Sequence, residues 1–198
     1  MIALRHEGTE PALLLTFHGT GGSERQFHGL GPRLLPGAHV VSPRGEVSEG
    51  GALRFFRRRA EGVFDMADLA ARTEAMAAFV EGERDRTGAA RVVGLGYSNG
   101  ANILANVLME RGVFDEAVLL HPLIPFEPPP ADLSARRVLV TAGRRDPICP
   151  APLTQGLADG LAARGAEVSL VWHEGGHEVA PGEWEAVAAF LSARSATP

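Results

Sequence analysis

The chain has 198 residues, 45% of them apolar and 22% charged, with a net charge of −5 at pH 7. This fits one globular domain over residues 1–198 with a substantial core, and the acidic balance argues against general nucleic-acid binding. The single cysteine, Cys149, excludes an internal disulfide. With neither a signal-peptide pattern nor a membrane-span-length apolar run, a soluble cytoplasmic protein is expected.

Strand-like apolar runs alternate with helical segments along the chain. A short strand is expected at 2–6. Residues 11–17 read as a buried strand that ends in His18-Gly19-Thr20-Gly21-Gly22, and 38–42 as another, stopped by Pro43. Residues 44–62 form a long irregular connection containing Phe55, Phe56 and Arg57-Arg58-Arg59; connections this long are usually functional or mobile. The spacing predicts a helix over 65–86, with Met66, Leu69, Thr73, Met76 and Val80 on one face and Asp65 capping its start. A strand at 91–95 and a helix at 101–108 flank a glycine turn. Then come a strand at 117–120, a proline-rich extended stretch at 122–130, and a strand at 137–142. A helix at 153–164, a strand at 168–172 and a helix at 181–193 follow, with Pro181 suited to a first helical turn. Residues 195–198 are expected to fray.

Continuous rather than alternating apolar runs mean strands covered on both faces, and alternation with helices means parallel crossovers. The fold class is therefore α/β, a three-layer α/β/α sandwich around a mostly parallel sheet. In such sheets chemistry gathers at the carboxyl ends of the strands. The Gly19–Gly22 loop, Ser98, His121, Asp146 and His177 all follow predicted strands, so they belong to one rim.

Gly96-Tyr97-Ser98-Asn99-Gly100 lies between a strand and a helix, the context of a nucleophile elbow. Side chains two residues either side of the serine would collide in so sharp a turn, and glycine fills both places. The hydroxyl is then presented at a helix N-terminus, where amides favour developing negative charge. A dinucleotide turn on Gly94-x-Gly96 would need an acidic residue ending the next strand; His121 and Pro122 stand there instead.

A serine needs a base. His177 follows the last strand within Glu174-Gly175-Gly176-His177, where the glycines let the loop bend back over Ser98. His6, His28 and His39 have no motif around them, and His121 reads either as a pocket wall or as structural. Asp146, in Gly143-Arg144-Arg145-Asp146-Pro147, would orient the base. Ser98, Asp146 and His177 run in the order of the α/β-hydrolase architecture. The oxyanion hole would use the N–H of Asn99 and one from the His18–Gly22 loop, with Thr20 favoured and Gly21 the near alternative. His173-Glu174-Gly175-Gly176-His177 matches the zinc-protease pattern H-E-x-x-H, but that pattern works on a helix and paired glycines oppose one.

Together, His18-Gly19-Thr20-Gly21-Gly22, the Ser98 elbow, Gly143–Pro147 and Gly175-Gly176-His177 span nearly the whole chain. With them the sequence resembles the small α/β-hydrolase-fold carboxylesterase/phospholipase family, which includes acyl-protein thioesterases. Arg54-Phe55-Phe56-Arg57-Arg58 and Glu61–Asp65 look more like its bacterial carboxylesterase subgroup. Thr20 stands where many relatives carry leucine. The resemblance implies an α/β-hydrolase fold and a homodimer. The short chain leaves no room for a separate cap domain. The expected activity is serine-dependent hydrolysis of small carboxylic esters through an acyl-enzyme on Ser98, with no metal or organic cofactor. Phe55, Phe56, His121, Leu123, Ile124 and Phe126 are candidates for the acyl pocket. Thioesterase, lactonase or peptidase chemistry on the same fold is the alternative; a non-catalytic binding protein and a zinc hydrolase rank below it.

Overall fold

Apolar runs become strands here because a sheet covered on both faces buries every side chain in turn. The computed structural model describes residues 1–128 and 130–193, and the expected fraying at Ser195–Pro198 lies outside the described residues. In chain order the elements are β1 (Ala3–His6), β2 (Ala12–Phe17), a short α1 (Gly31–Leu34) and β3 (His39–Pro43). Next come β4 (Val47–Glu49), β5 (Ala52–Arg54), β6 (Arg58–Ala60), β7 (Val63–Phe64) and α2 (Met66–Thr87). β8 (Arg91–Tyr97), α3 (Asn99–Arg111), β9 (Glu116–Leu120), β10 (Arg137–Gly143), α4 (Ala151–Ala163), β11 (Glu167–His173) and α5 (Pro181–Ser192) complete the fold.

Seven strands form one sheet in the order β1-β3-β2-β8-β9-β10-β11. All its pairings are parallel except that of β1, which runs antiparallel to β3 at the edge. Two apolar clusters lie on opposite faces. Leu13, Leu15 and Phe17 of β2 share one cluster with Leu69, Met76 and Val80 of α2, Ile103 and Leu104 of α3, and Leu157 and Leu161 of α4. Leu14 of the same strand faces the other way, toward Leu35, Val187, Phe190 and Leu191. Each fully buried aliphatic side chain contributes roughly 1.5–3 kcal/mol. The three-layer sandwich is therefore the observed architecture, and among the described residues no separate cap covers the rim.

α2 starts where Asp65 accepts the Asp68 N–H and stops at Gly88, whose φ of 65° is left-handed. Leu69, Thr73, Met76 and Val80 are buried as the periodicity requires, but Met66, in the first turn, is 48% exposed. α3 is buried on every side from Asn99 to Met109. Its asparagines are tied down: Asn102 Oδ1 accepts the Leu123 N–H at 2.7 Å, and Asn106 Nδ2 donates to Thr73 Oγ1 at 2.7 Å. The stretch at 44–62 is not irregular. It folds into two small antiparallel hairpins, β4–β5 and β6–β7, outside the main sheet. Strands this short, one of them Arg58-Arg59-Ala60, carry no apolar alternation by which a sequence could announce them.

Candidate active site

Ser98 is the hinge between β8 and α3. Its backbone adopts φ 52° and ψ −118°, a strained region for a non-glycine residue, and its N–H donates to Leu120 O at 2.9 Å. The flanking glycines are sterically required. A Cβ on Gly96 would lie 2.5 Å from Gly100 O, and one on Gly100 would lie 2.4 Å from Phe17 O and 2.5 Å from His18 O. These are backbone atoms, which cannot rotate away. Gly100→Ala is therefore expected to cost about 3 kcal/mol or more and to lower the unfolding temperature by at least about 6 °C. Thermal unfolding followed by circular dichroism reads this; an unchanged midpoint would mean that the elbow has room to spare.

His177 Nε2 lies 2.9 Å from Ser98 Oγ, and His177 Nδ1 lies 2.7 Å from Asp146 Oδ2. A carboxylate only accepts, so the proton sits on Nδ1 and the Nε2 lone pair faces the hydroxyl. Asp146 is held by its own turn: its Oδ1 accepts the N–H groups of Ile148 at 2.8 Å and Cys149 at 2.9 Å. Burial works against ionising Asp146. The Cys149 amide, His177, His121 and the Ile148 amide outweigh it and hold the carboxyl below the usual range. Tyr97, the residue before the serine, donates its hydroxyl to His177 O at 2.6 Å and fixes the loop that carries the imidazole. Burial, with Asp146 nearby, pushes that phenol up to about 12, so it stays a donor.

The His18–Gly22 loop has one uncommitted amide at its centre. Gly19 N–H donates to Gln26 Oε1 at 2.9 Å, Gly21 N–H to Leu53 O at 3.0 Å and Gly22 N–H to Gly19 O at 3.0 Å. The Thr20 N–H has no such partner among the described residues, and Asn99 N–H opens α3, where no intrahelical acceptor exists. Of these two candidates, Gly21 has its N–H engaged and Thr20 has its N–H uncommitted among the described residues. Both candidate donors are braced by the first hairpin: Arg54 Nη1 donates to Thr20 Oγ1 at 2.8 Å, and Phe55 N–H donates to Asn99 Oδ1 at 2.7 Å.

A cavity of about 260 Å³ opens onto Ser98 and His177, lined also by Thr20, Arg54, Phe64, Leu123, Ile148 and Cys149. Of the pocket candidates, Leu123 lines it. Phe126 and Ile124 instead line a neighbouring cavity against α4. Phe55 and Phe56 are 3% and 0% exposed and belong to the core, because the hairpin turns both rings inward against Phe17 and Phe64. His121 is not a pocket wall; it is fully buried behind Asp146. Arg58 also reaches the cavity, but Glu49 and Glu61 pair with it, and Glu49 lies 3.3 Å from Arg54. The two arginines are matched by two carboxylates, so the site has no strong net field for an anion. Burial pushes the Cys149 thiol well above its usual range, leaving it a neutral wall.

The dienelactone hydrolase family model matches residues 55–181, well over half of the chain. The chain belongs to the dienelactone hydrolase family. It is 40% identical over 185 residues to the putative hydrolase MhqD of Bacillus subtilis, covering 90% of this chain and 92% of that protein. It superimposes on a protein of unknown function from Agrobacterium tumefaciens with a TM-score of 0.91 and 55% identity, covering 96% and 94% of the two chains. A Bacillus cereus carboxylesterase gives a TM-score of 0.91 at 36% identity, with 96% and 92% covered. The α/β-hydrolase fold and a hydrolase of the dienelactone hydrolase and carboxylesterase type follow. Among the described residues no helix is long and apolar enough to cross a membrane.

This hydrolase carries a second polar cluster behind Asp146, made of His121, Glu183 and His173. Their ligand atoms approach within 4.8 Å of one another, close enough to suggest a metal. The tautomer opposes it. Gly175 N–H donates to His173 Nδ1 at 3.0 Å, which leaves the ring proton on Nε2, the atom that faces Glu183 at 3.3 Å. The H-E-x-x-H segment is not a helix: His173 ends β11 and His177 lies on the following loop. The two rings turn to different carboxylates. Sequence reasoning missed Tyr97, Arg54 and Glu183. Only Glu183 left a signal, as an acid in the first turn of a predicted helix.

Proposed function

We propose that this protein is a serine-dependent carboxylesterase for small, uncharged esters. The observation that carries the reading is the continuous hydrogen-bonded chain Asp146–His177–Ser98 at the wall of the cavity. Ser98 Oγ attacks the ester carbonyl while His177 Nε2 takes its proton. The carbonyl oxygen becomes an oxyanion held by the N–H groups of Thr20 and Asn99, each worth about 3 kcal/mol in the transition state. His177 returns the proton to the departing alcohol, and an acyl group remains on Ser98. Water, deprotonated by the same imidazole, attacks that ester and releases the acid. Asp146 stays ionised throughout and holds the tautomer. A lactone is an internal ester, and the same sequence of steps opens it.

The cavity of about 260 Å³ and the neutral balance around it favour short acyl groups without a charge. A panel of p-nitrophenyl esters tests both the reaction and the size limit. kcat/KM is expected to peak between acetyl and butyryl and to fall toward palmitoyl. A fluorophosphonate probe should label Ser98 in the same protein. Absence of both turnover and labelling would return the fold to a binding role, and a steady rise to palmitoyl would refute the size limit.

A further inference from the structure

Asp146 Oδ2 is shared between two imidazoles: His177 Nδ1 at 2.7 Å and His121 Nδ1 at 3.0 Å. The other nitrogen of His121, Nε2, lies 3.1 Å from Glu183 Oε1. His121 is 0% and Glu183 1% exposed. Ionised carboxylates only accept hydrogen bonds, so a ring wedged between two of them carries a proton on each nitrogen. Glu183 is well supplied with donors. Thr141 Oγ1–H donates to its Oε1 and Ala180 N–H to its Oε2 at 2.6 Å. Burial opposes its ionisation, but His121, Thr141 and the Ala180 amide outweigh burial and hold it below the usual range. Burial likewise opposes a charge on His121, and Glu183 and Asp146 together raise its affinity for the proton.

The backbone of His121 is also unusual. Its φ of 51° is left-handed for a residue that is not glycine. The conformation is pinned by its N–H donating to Thr141 O at 2.8 Å and by the Cys149 thiol donating to its carbonyl at 3.3 Å. A strained backbone over-determined by its surroundings points to a constraint on where the side chain must be.

We propose that His121 is a positioning residue for the reaction above: a buried imidazolium clamped between Asp146 and Glu183 that aims Asp146 Oδ2 at His177 and places a fixed positive charge behind the triad. The inference rests on the serine-esterase reading of Ser98, His177 and Asp146. The His121 and His177 rings are 5.3 Å apart. A fixed cation at that distance repels positive charge on the His177 ring. The groups facing His121 are Asp146 and Cys149 from the turn after β10, Glu183 from α5, and His177 with the nearby Glu178 from their loop. His173 of β11 lies 5.4 Å away ring to ring and Tyr97 of β8 5.9 Å away. Among these only Asp146 and Glu183 accept from the ring itself.

Two measurements test the proposal. In 15N-labelled protein, the His121 imidazole, assigned by its loss in His121→Gln, should show both nitrogens protonated at pH 7. A singly protonated ring at pH 7 overturns the proposal, whether or not any ester is turned over. In kinetics, His121→Gln keeps a donor for Asp146 but removes the charge. The acidic limb of its kcat/KM profile should move up by about one pH unit, roughly a tenfold loss below the limb. The double variant His121→Gln/Glu183→Gln removes cation and anion together and should bring the limb back toward wild type. An unmoved limb in a folded His121→Gln protein would leave His121 a packing residue and also overturns the proposal. Failure of the esterase reading itself would be seen separately, as absent turnover and labelling in the wild type.

Discussion

Replacing Ser98 by alanine is expected to lower kcat for p-nitrophenyl acetate by at least ~10³-fold while moving the unfolding midpoint by no more than about 2 °C. The two halves of this expectation have different origins. Alanine keeps a Cβ, so the left-handed backbone is no more strained than in the serine protein, and the N–H to Leu120 O bond remains. Ser98 Oγ has one hydrogen-bond partner among the described residues, His177 Nε2. His177 itself stays anchored by Asp146 and by the Tyr97 hydroxyl on its carbonyl. Stability therefore changes little. Catalysis is expected to change greatly because the other hydroxyls and the thiol at the cavity are otherwise committed: Thr20 Oγ1 accepts from Arg54, Tyr97 donates to His177 O, and burial keeps the Cys149 thiol protonated. What would remain is the polarisation proposed for the Thr20 and Asn99 N–H groups, together with substrate binding. Turnover within tenfold of wild type, in protein shown to be folded, would remove Ser98 from the mechanism.

The elements legible in the sequence are those whose signal is local. β2, β8, β9 and β10 announce themselves as unbroken apolar runs because both faces of the sheet are covered. The elbow is legible because the close approach of Gly100 to Phe17 O and His18 O admits no side chain, which forces a glycine into the pattern. The order Ser98, Asp146, His177 is legible because each residue follows a strand of one parallel sheet. What stayed hidden depends on tertiary contact. The hairpin β4–β5 looks like loop, yet Leu53 O, Arg54 and Phe55 N–H brace both of the proposed oxyanion-hole residues, Thr20 and Asn99. His121 was legible as a rim residue, but its left-handed backbone turns it behind Asp146 instead of into the cavity. Glu183 reads as an ordinary first-turn acid. It does accept the Ala180 amide there, but its other oxygen reaches Thr141 and His121, which no spacing rule relates to it.

Asp146→Asn is expected to lower kcat ~10⁴-fold and to cost about 2 kcal/mol of stability. The reason is the donor count around the carboxylate. Oδ1 accepts two backbone N–H groups, from Ile148 and Cys149, and Oδ2 accepts two ring N–H groups, from His177 and His121. An amide has one accepting oxygen, and its nitrogen brings two further protons. If that nitrogen replaces Oδ1, it meets two buried amide donors that have no alternative. If it replaces Oδ2, it confronts both imidazoles. His177 can then accept only by moving its proton to Nε2, which points a donor at Ser98 Oγ and leaves the hydroxyl without a base. His121 must at the same time give up a proton or face the amide unpaired, so the buried cation and Glu183 are disturbed together. A steady-state assay with p-nitrophenyl acetate and a thermal melt on the same sample check both halves. An Asp146→Asn protein that keeps more than about a tenth of wild-type kcat would show that the tautomer of His177 does not depend on this carboxylate, and the mechanism built on it would have to be abandoned.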